Sequence, residues 1–367
     1  MHTTTASINL NAIRHNLHQV KQLAPDAYVM AMVKADAYGH GLIEVAATLD
    51  TADGLAVARV EEALKLRASG IEQRILVLAG ALTSADLMEC SRLSIDLVIH
   101  SGIQADDLLS ATLPTPINIW LKVDSGMHRL GLSADDFQHY QQPLSCSPNT
   151  GEIFSMTHFS SSEADNSQQT QQQQTLFEQI TSGCAAPQSL ANSAAIIKHP
   201  HSHKNWVRPG IMLYGANPLP GDSQQLYPVH LQPVMTLSSK VLATRLVKSG
   251  DSVGYNSRWT AQSDSIIATV GIGYGDGYPR HASNGTPVLI NGDRATLVGA
   301  VSMDLITIDV SQSGPVSVGD EVILWGNDSN GQLLMVEEVA QWAETISYEL
   351  FTSVTARVTR THTDSGR

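Results

Sequence analysis

Several side chains able to do covalent or acid–base chemistry stand at the ends of short apolar runs. Lys34 follows the run Tyr28–Val33, in MAMVKADAYGHG. Lys122 and Arg129 end or follow another, in WLKVDSGMHRLG, and His158 closes a third, in FSMTHFS. Ser193 lies in ANSAA, and Arg208, Gly210 and Ile211 lie in VRPGIMLYG. A lysine ending an apolar strand is commonly a cation reaching for water. A desolvated lysine behaves differently: its amine gives up a proton more readily and can form a Schiff base. Tyr38, four residues beyond Lys34, can bond a phosphate, as can the Ser193 hydroxyl and the Gly210–Ile211 backbone N–H groups. A capping serine and a turn glycine are the commoner uses of such residues taken singly. Together with Lys34 they describe an aldehyde cofactor held by an imine at one end and by phosphate at the other.

These groups are far apart in sequence, so the fold must gather them. The runs are Tyr28–Val33, Leu55–Ala58, Ile75–Ala79, Ile95–Ile99, Ile117–Val123, Ile153–Met156, Ser189–Ala191 and Trp206–Leu213. Several are nearly continuous in Val, Ile, Leu and Met, as strands buried on both faces must be. Amphipathic stretches such as Val60–Ala68 lie between them, and Ser84–Cys90 opens with a serine suited to an N-cap. Strand and helix alternating eight times predicts a parallel (β/α)8 barrel, whose chemistry sits at the carboxyl ends of the strands. A doubly wound sheet is the rival, but no GxGxxG follows the first strand. The QQTQQQQ patch at Gln168–Gln174 reads as a solvated helix face running into Leu176, Phe177 and Ile180.

The pattern changes near Pro228–Pro233. Runs rich in Val, Ile and Thr follow, at Val234–Leu246, Ile266–Ile272, Pro287–Ile290, Ala295–Val301, Leu305–Val310 and Glu321–Trp325. Asn291-Gly292 is a hairpin signal, and only Val336–Thr345 looks helical. The expected organisation is a barrel over residues 1–229 and a mostly-β domain over 230–367, with Ser7–Leu10 free to pair with the second domain.

The 367 residues carry 22 Lys+Arg against 35 Asp+Glu, a net charge of −13. That balance, without a basic run, argues against nucleic acid or an anionic membrane as partner. Cys90, Cys146 and Cys184 stand too far apart for a CxxC site or a disulfide framework. Met1–Ser7 has no basic segment leading into an apolar core, and no apolar run approaches the ~20 residues of a membrane span. A cytoplasmic protein is expected. His199, His201 and His203, in HPHSH, would share one face of a strand and could hold zinc. Pro200, Lys204 and Asn205 favour a polar loop instead, so no metal is expected.

MVKADAYGHG, LKVDSGMHRLG, THFSSSEADN, ANSAA, RPGIMLYG, VGYNSRW, GIGYGDGYPR, GAVSMD and SYEL resemble the successive motifs of bacterial alanine racemase, in the same order. That family uses pyridoxal 5′-phosphate on a fold-type III barrel. The set spans residue 34 to about 350, and its ordering is far more specific than any one motif. Ser125 and Asp36 depart from the family's more frequent Thr and Asn. The resemblance implies interconversion of L- and D-alanine, with D-alanine supplying peptidoglycan. Lys34 would hold the cofactor and act as one base, and Tyr255 would be the opposite base. A proton leaves one face of Cα and returns to the other, so two bases are needed. Tyr255 would come from the partner subunit of a head-to-tail homodimer with shared active sites. His158 and Arg208 would assist, Arg208 facing the cofactor's ring nitrogen. Arg129 would bind the substrate carboxylate, oriented by Lys122 in carbamylated form. Met303 and Asp304 would line the pocket from the partner, while Tyr274 and Tyr348 would narrow its mouth, Tyr348 also reaching the phosphate. A broader amino-acid racemase, a decarboxylase and a non-enzymatic pyridoxal-phosphate carrier share the barrel. No cysteine follows Cys184 to serve a decarboxylase, and a carrier has no need of the β domain.

Overall fold

The structure is a computed structural model that describes residues 4–364. Met1–Thr3, part of the opening segment considered above, lie outside the described residues. Eight parallel strands close into a barrel: Tyr28–Met32, Gly54–Val57, Arg74–Val77, Asp96–Ile99, Ile117–Lys122, Thr150–Met156, Gln188–Asn192 and Trp206–Arg208. The expected runs become these strands because both faces are covered, so Leu55, Val57, Leu97 and Leu121 are fully buried.

The amino end of the barrel is plugged. Trp120 stacks on Phe154, with ring centroids 4.3 Å apart, and Trp206 meets both edge-on. Asp96, buried beneath, accepts from Trp120 Nε1 at 3.1 Å and pairs with Arg74 at 3.2 Å. Burial raises the Asp96 pKa, opposed by Arg74 and these hydrogen bonds. Access to the barrel interior is thereby left to the carboxyl end.

The eighth run is shorter than expected. The strand stops at Arg208 and Ile211–Tyr214 forms a 3-10 turn, because Pro209 has no N–H to continue a ladder. The helix read as starting at Ser84 is capped one residue earlier by Thr83, whose hydroxyl accepts from Asp86 N–H.

The second domain is built on a sheet of nine strands, in which Glu321–Asn327 also pairs with Met235–Val247 to close it on itself, and a separate two-stranded pair, Ser252–Val253 with Trp259–Thr260, flanks Tyr255. The Asn291-Gly292 turn joins Pro287–Ile290 to Asp293–Leu297, both turn residues taking positive φ. Leu297 ends its strand short of the expected Val301, since Gly299 turns the chain at φ +79°. The early segment does join this sheet: Thr5–Asn9 pairs antiparallel with Met235–Val247 and parallel with Thr359–Thr363. Two helices occur here rather than one. Val336–Trp342 is followed by Ser347–Ser353, whose seven residues are too few to show a period in sequence.

Asn16, fully buried on the helix Leu10–Leu23, fastens the link between the domains. Its amide donates to Leu213 O at 3.1 Å and Gln232 O at 2.9 Å, and its oxygen accepts from Gln232 N–H at 2.8 Å. Asn16→Ala strands these backbone groups, which should cost roughly 2–4 kcal/mol. Differential scanning fluorimetry should show a melting point several degrees lower; an unchanged one would contradict the role given to Asn16.

Candidate active site

Lys34 stands two residues past the first barrel strand and opens a backbone of unusual hand. Ala35, Asp36, Ala37 and Tyr38 all have φ between 52° and 56°, a left-handed turn of four L-residues. Each such residue costs about 1–2 kcal/mol against the right-handed form. Local acceptors help to hold it: Glu62 accepts from Ala35 N–H at 2.7 Å, and Asp36 Oδ1 accepts from Leu42 N–H at 2.9 Å. The acidic Asp36 thus does an acceptor's work. The turn delivers Lys34 and Tyr38 to one cavity of about 320 Å3 at the barrel's carboxyl end.

Other strand ends complete the wall. Lys122 ends the fifth strand, and the following loop brings in Arg129. Asp124 shapes that loop by accepting from the backbone N–H groups of Gly126, Met127 and His128. His158 follows the sixth strand, and Ser193 follows the seventh. Arg208 ends the eighth, with Gly210 just beyond. Tyr348 reaches the rim from the helix Ser347–Ser353. Ile211 is buried directly behind Gly210.

The charge of this wall opposes that of the chain. Lys34, Lys122, Arg129 and Arg208 line the cavity, and among the described residues no Asp or Glu does. Arg208 is only 3% exposed and is held by neutral acceptors. It donates to Ser189 Oγ at 2.7 Å, Thr157 O at 2.6 Å and Leu190 O at 3.2 Å. It also donates to His158 Nδ1 at 3.3 Å. Burial is the cause that pulls the Arg208 pKa down. His158 is pushed well below the usual histidine range by burial, then by Arg208 and Lys122. A neutral ring accepting at Nδ1 carries its proton on Nε2. The Lys34 amine is lowered by burial and by Arg129, with Glu62 opposing. Lys122 is lowered to about 8 by burial and then by Arg208, Arg129 and Lys34.

These features fit an aldehyde that carries phosphate. The lysine is biased toward its nucleophilic form, and among the described residues no carboxylate joins the cations in the cavity wall. At the other end Gly210 leaves open a space that a side chain would close: a Cβ there would lie 2.5 Å from Tyr38 Oη. Gly210 N–H donates to Ser193 Oγ at 2.8 Å, so hydroxyl and backbone donors meet beside Tyr38.

Four residues expected at the site lie elsewhere in the single chain. Tyr255 is 66% exposed on the second domain, and Met303 is 54% exposed. Tyr274 N–H donates to Ser302 O at 3.0 Å, and Asp304 pairs with Arg357 at 2.7 Å, so these loops form one surface. Asn192, Glu62 and Ser189 were missed from sequence. Asn192 lines the cavity and caps the helix Ser193–Lys198, so the Asn-Ser step before an apolar run is the signal that could have found it. Glu62 and Ser189 act through backbone and Arg208, which no spacing reveals. The HPHSH histidines sit around a 3-10 turn at Pro200–Ser202, where His199 and His203 donate to the carbonyls of Ser162 and Ile196.

The N-terminal domain model of alanine racemase matches residues 8–218, and the C-terminal domain model matches residues 234–362. The chain belongs to the alanine racemase family. An alanine racemase of Vibrio cholerae is 46% identical over 367 residues, covering all of both chains. The crystal structure of the biosynthetic alanine racemase from Pseudomonas aeruginosa superposes with a TM-score of 0.93 at 42% identity, over 99% of this chain and all of that one. An alanine racemase from Bartonella henselae, solved with covalently bound pyridoxal phosphate, gives 0.88 at 28% identity, over 98% and 99% of the two chains. Among the described residues no helix is long and apolar enough to cross a membrane.

Burial also pulls down His40, to about 3, and His100, His199 and His203. Unfolding restores an ordinary pKa near ~6.5, so below that pH the unfolded chain binds more protons and folding stability falls. Each fully buried histidine contributes up to about 1.4 kcal/mol per pH unit. Melting temperature should fall only slightly from pH 8 to 7, where Lys122 completes its protonation, and fall more steeply between pH 6.5 and 5. A flat profile to pH 5 would contradict neutral burial.

Proposed function

We propose that the chain is a pyridoxal-phosphate-dependent alanine racemase interconverting L- and D-alanine. One observation carries the reading: a cavity lined by Lys34, Lys122, Arg129 and Arg208 with no lining carboxylate, in a chain of net charge −13. An anionic cofactor and an anionic substrate would supply what the protein withholds. Pyridoxal phosphate, bound covalently through Lys34, makes the Cα proton of an attached amino acid removable by withdrawing electrons.

The protein's own groups then divide the work. Tyr38, Ser193, Tyr348 and the Gly210–Ile211 backbone hold the phosphate. Arg208, an always-charged donor, would serve the ring nitrogen and favour its unprotonated form. His158, kept neutral, supports Arg208 through its 3.3 Å contact. Arg129 binds the substrate carboxylate. Lys122 stands close enough to Arg129 and Arg208 for their charges to lower its pKa. Addition of CO2 to its neutral amine, with release of a proton, would turn that repulsion into attraction. Electron density beyond Nζ would report the carbamate, and a bare amine would exclude it.

Lys34 moves the proton on one face of Cα, and Tyr255 of the partner subunit moves it on the other. In this reading the protein is an obligate homodimer, because the exposed Tyr255 must reach a cavity in another copy. Met303, Asp304 and Tyr274 belong to the same surface and complete the pocket, limiting it to small substrates such as alanine. The barrel and the β domain then contribute opposite bases. Supply of D-alanine for peptidoglycan would place the enzyme in the cytoplasm.

Lys34→Ala and Tyr255→Phe should each lose at least ~10²-fold in racemisation of L-alanine. Borohydride reduction of the wild type should leave cofactor mass on the Lys34 peptide. Co-expressing the two variants should restore about a quarter of wild-type activity, since half of randomly paired dimers have one intact site of two. No recovery would show that both bases act within one chain.

A further inference from the structure

The left-handed turn that carries Lys34 and Tyr38 has its carbonyls taken up one after another by side chains. His40 Nδ1 donates to Ala37 O at 3.1 Å and Tyr38 O at 2.8 Å. Arg360 Nε donates to Gly39 O at 2.8 Å, and His362 Nε2 donates to His40 O at 2.7 Å. A carbonyl can only accept, so each ring nitrogen here carries its proton.

Arg360 and His362 alternate on the last strand, Thr359–Thr363, and so leave it on the same face. Parallel pairing fixes their height, with Arg360 opposite Ala6 and His362 opposite Ile8. The Arg360 fork also donates to Val354 O at 2.7 Å and Thr355 O at 3.2 Å, just beyond the helix that bears Tyr348. The fit is close. A Cβ on Gly39 would lie 2.2 Å from Phe351 O, and one on Gly41 would lie 2.7 Å from His362 Nε2. Both glycines have positive φ, so the turn is met by the second domain along its length. Such backbone persists only where its surroundings over-determine it.

We propose that Arg360 and His362 are positioning residues, through which the last strand clamps the turn and aims the Lys34 amine and the Tyr38 hydroxyl into one cavity. Neither lines that cavity, so neither is a catalytic residue. The inference rests on Lys34 being the base proposed above. It makes the second domain a determinant of geometry in its own chain's barrel, beyond any residue lent to a neighbour.

The test uses the holoenzyme with His362→Phe, His362→Gln and Arg360→Met. Misplacing the turn should lower kcat for L-alanine on the order of tenfold or more in His362→Phe and Arg360→Met. KM should stay within about twofold, because Arg129 is untouched. His362→Gln keeps an N–H donor and should recover most of kcat. Hydrogen–deuterium exchange of residues 35–41 should speed up in the two impaired variants, since the amides of Ala37, His40 and Gly41 are bonded within the turn. Should Arg360→Met fail to fold, the half-buried His362 pair decides alone. A lower melting point with kcat and exchange unchanged would overturn the proposal, leaving the strand a purely structural support. Exchange is read without turnover. Faster exchange alongside a wild type that does not racemise alanine would therefore sink the alanine reading and leave the clamp standing.

Discussion

The mouth of the barrel holds positive charge that the protein does not neutralise. Arg208 shows the constraint most plainly: a guanidinium 3% exposed, bonded to a serine hydroxyl, two carbonyls and a neutral histidine. Leaving a buried charge without a counter-charge is normally among the costliest arrangements in a fold. Here the cost is spread over four cations, and burial first, then the neighbouring cations, lowers the Lys34 and Lys122 amines. The same repulsion that weakens the cavity by itself makes an amine reactive and gives an anion a strong reason to bind. Glu62 and Asp124, which partly oppose the shifts of Lys34 and Lys122, spend their oxygens on backbone N–H groups and, for Asp124, the His128 ring, and neither lines the cavity. The imbalance is therefore built into the fold and maintained by it.

Strain is the second ingredient, and it is set against packing. Four L-residues in left-handed backbone are held by Glu62, which accepts from Ala35, by the Asp36 carboxylate, which accepts from Leu42, and just beyond them by the last strand's bonds to Gly39 and His40. The two domains are thus interleaved more deeply than their order along the chain suggests. Thr5–Asn9 lies in the second sheet, and the last strand grips the first barrel loop. Tyr255 stands apart from this arrangement, exposed on a surface that also presents Met303 and Tyr274.

Much of this was legible in the sequence, for identifiable reasons. Barrel strands buried on both faces leave apolar runs that need no partner information to be seen, and chemistry at their carboxyl ends marks Lys34, Lys122, His158 and Arg208. The Asn291-Gly292 hairpin announces itself because few residues accept its backbone. What stayed hidden was set by tertiary contact. Nothing in KADAY signals left-handed backbone, since alanine and tyrosine favour the opposite hand. The helix Ser347–Ser353 is too short to show its period. Arg360 and His362 look like polar residues of a terminal strand until the fold brings them against Gly39 and His40. Tyr255 is exposed and does not line its own chain's cavity, and a single sequence holds only its motif.

The charge imbalance can be tested by melting the apoprotein with pyridoxal phosphate, or with pyridoxal, which has the same ring and aldehyde but no phosphate. A ligand at a hundredfold excess over its Kd stabilises by about 2.7 kcal/mol. Pyridoxal phosphate should raise the melting temperature by several degrees at concentrations where pyridoxal scarcely moves it. Equal shifts from the two compounds would mean that the ligand's negative charge is not what the cavity holds, and would contradict the reading on which the site rests.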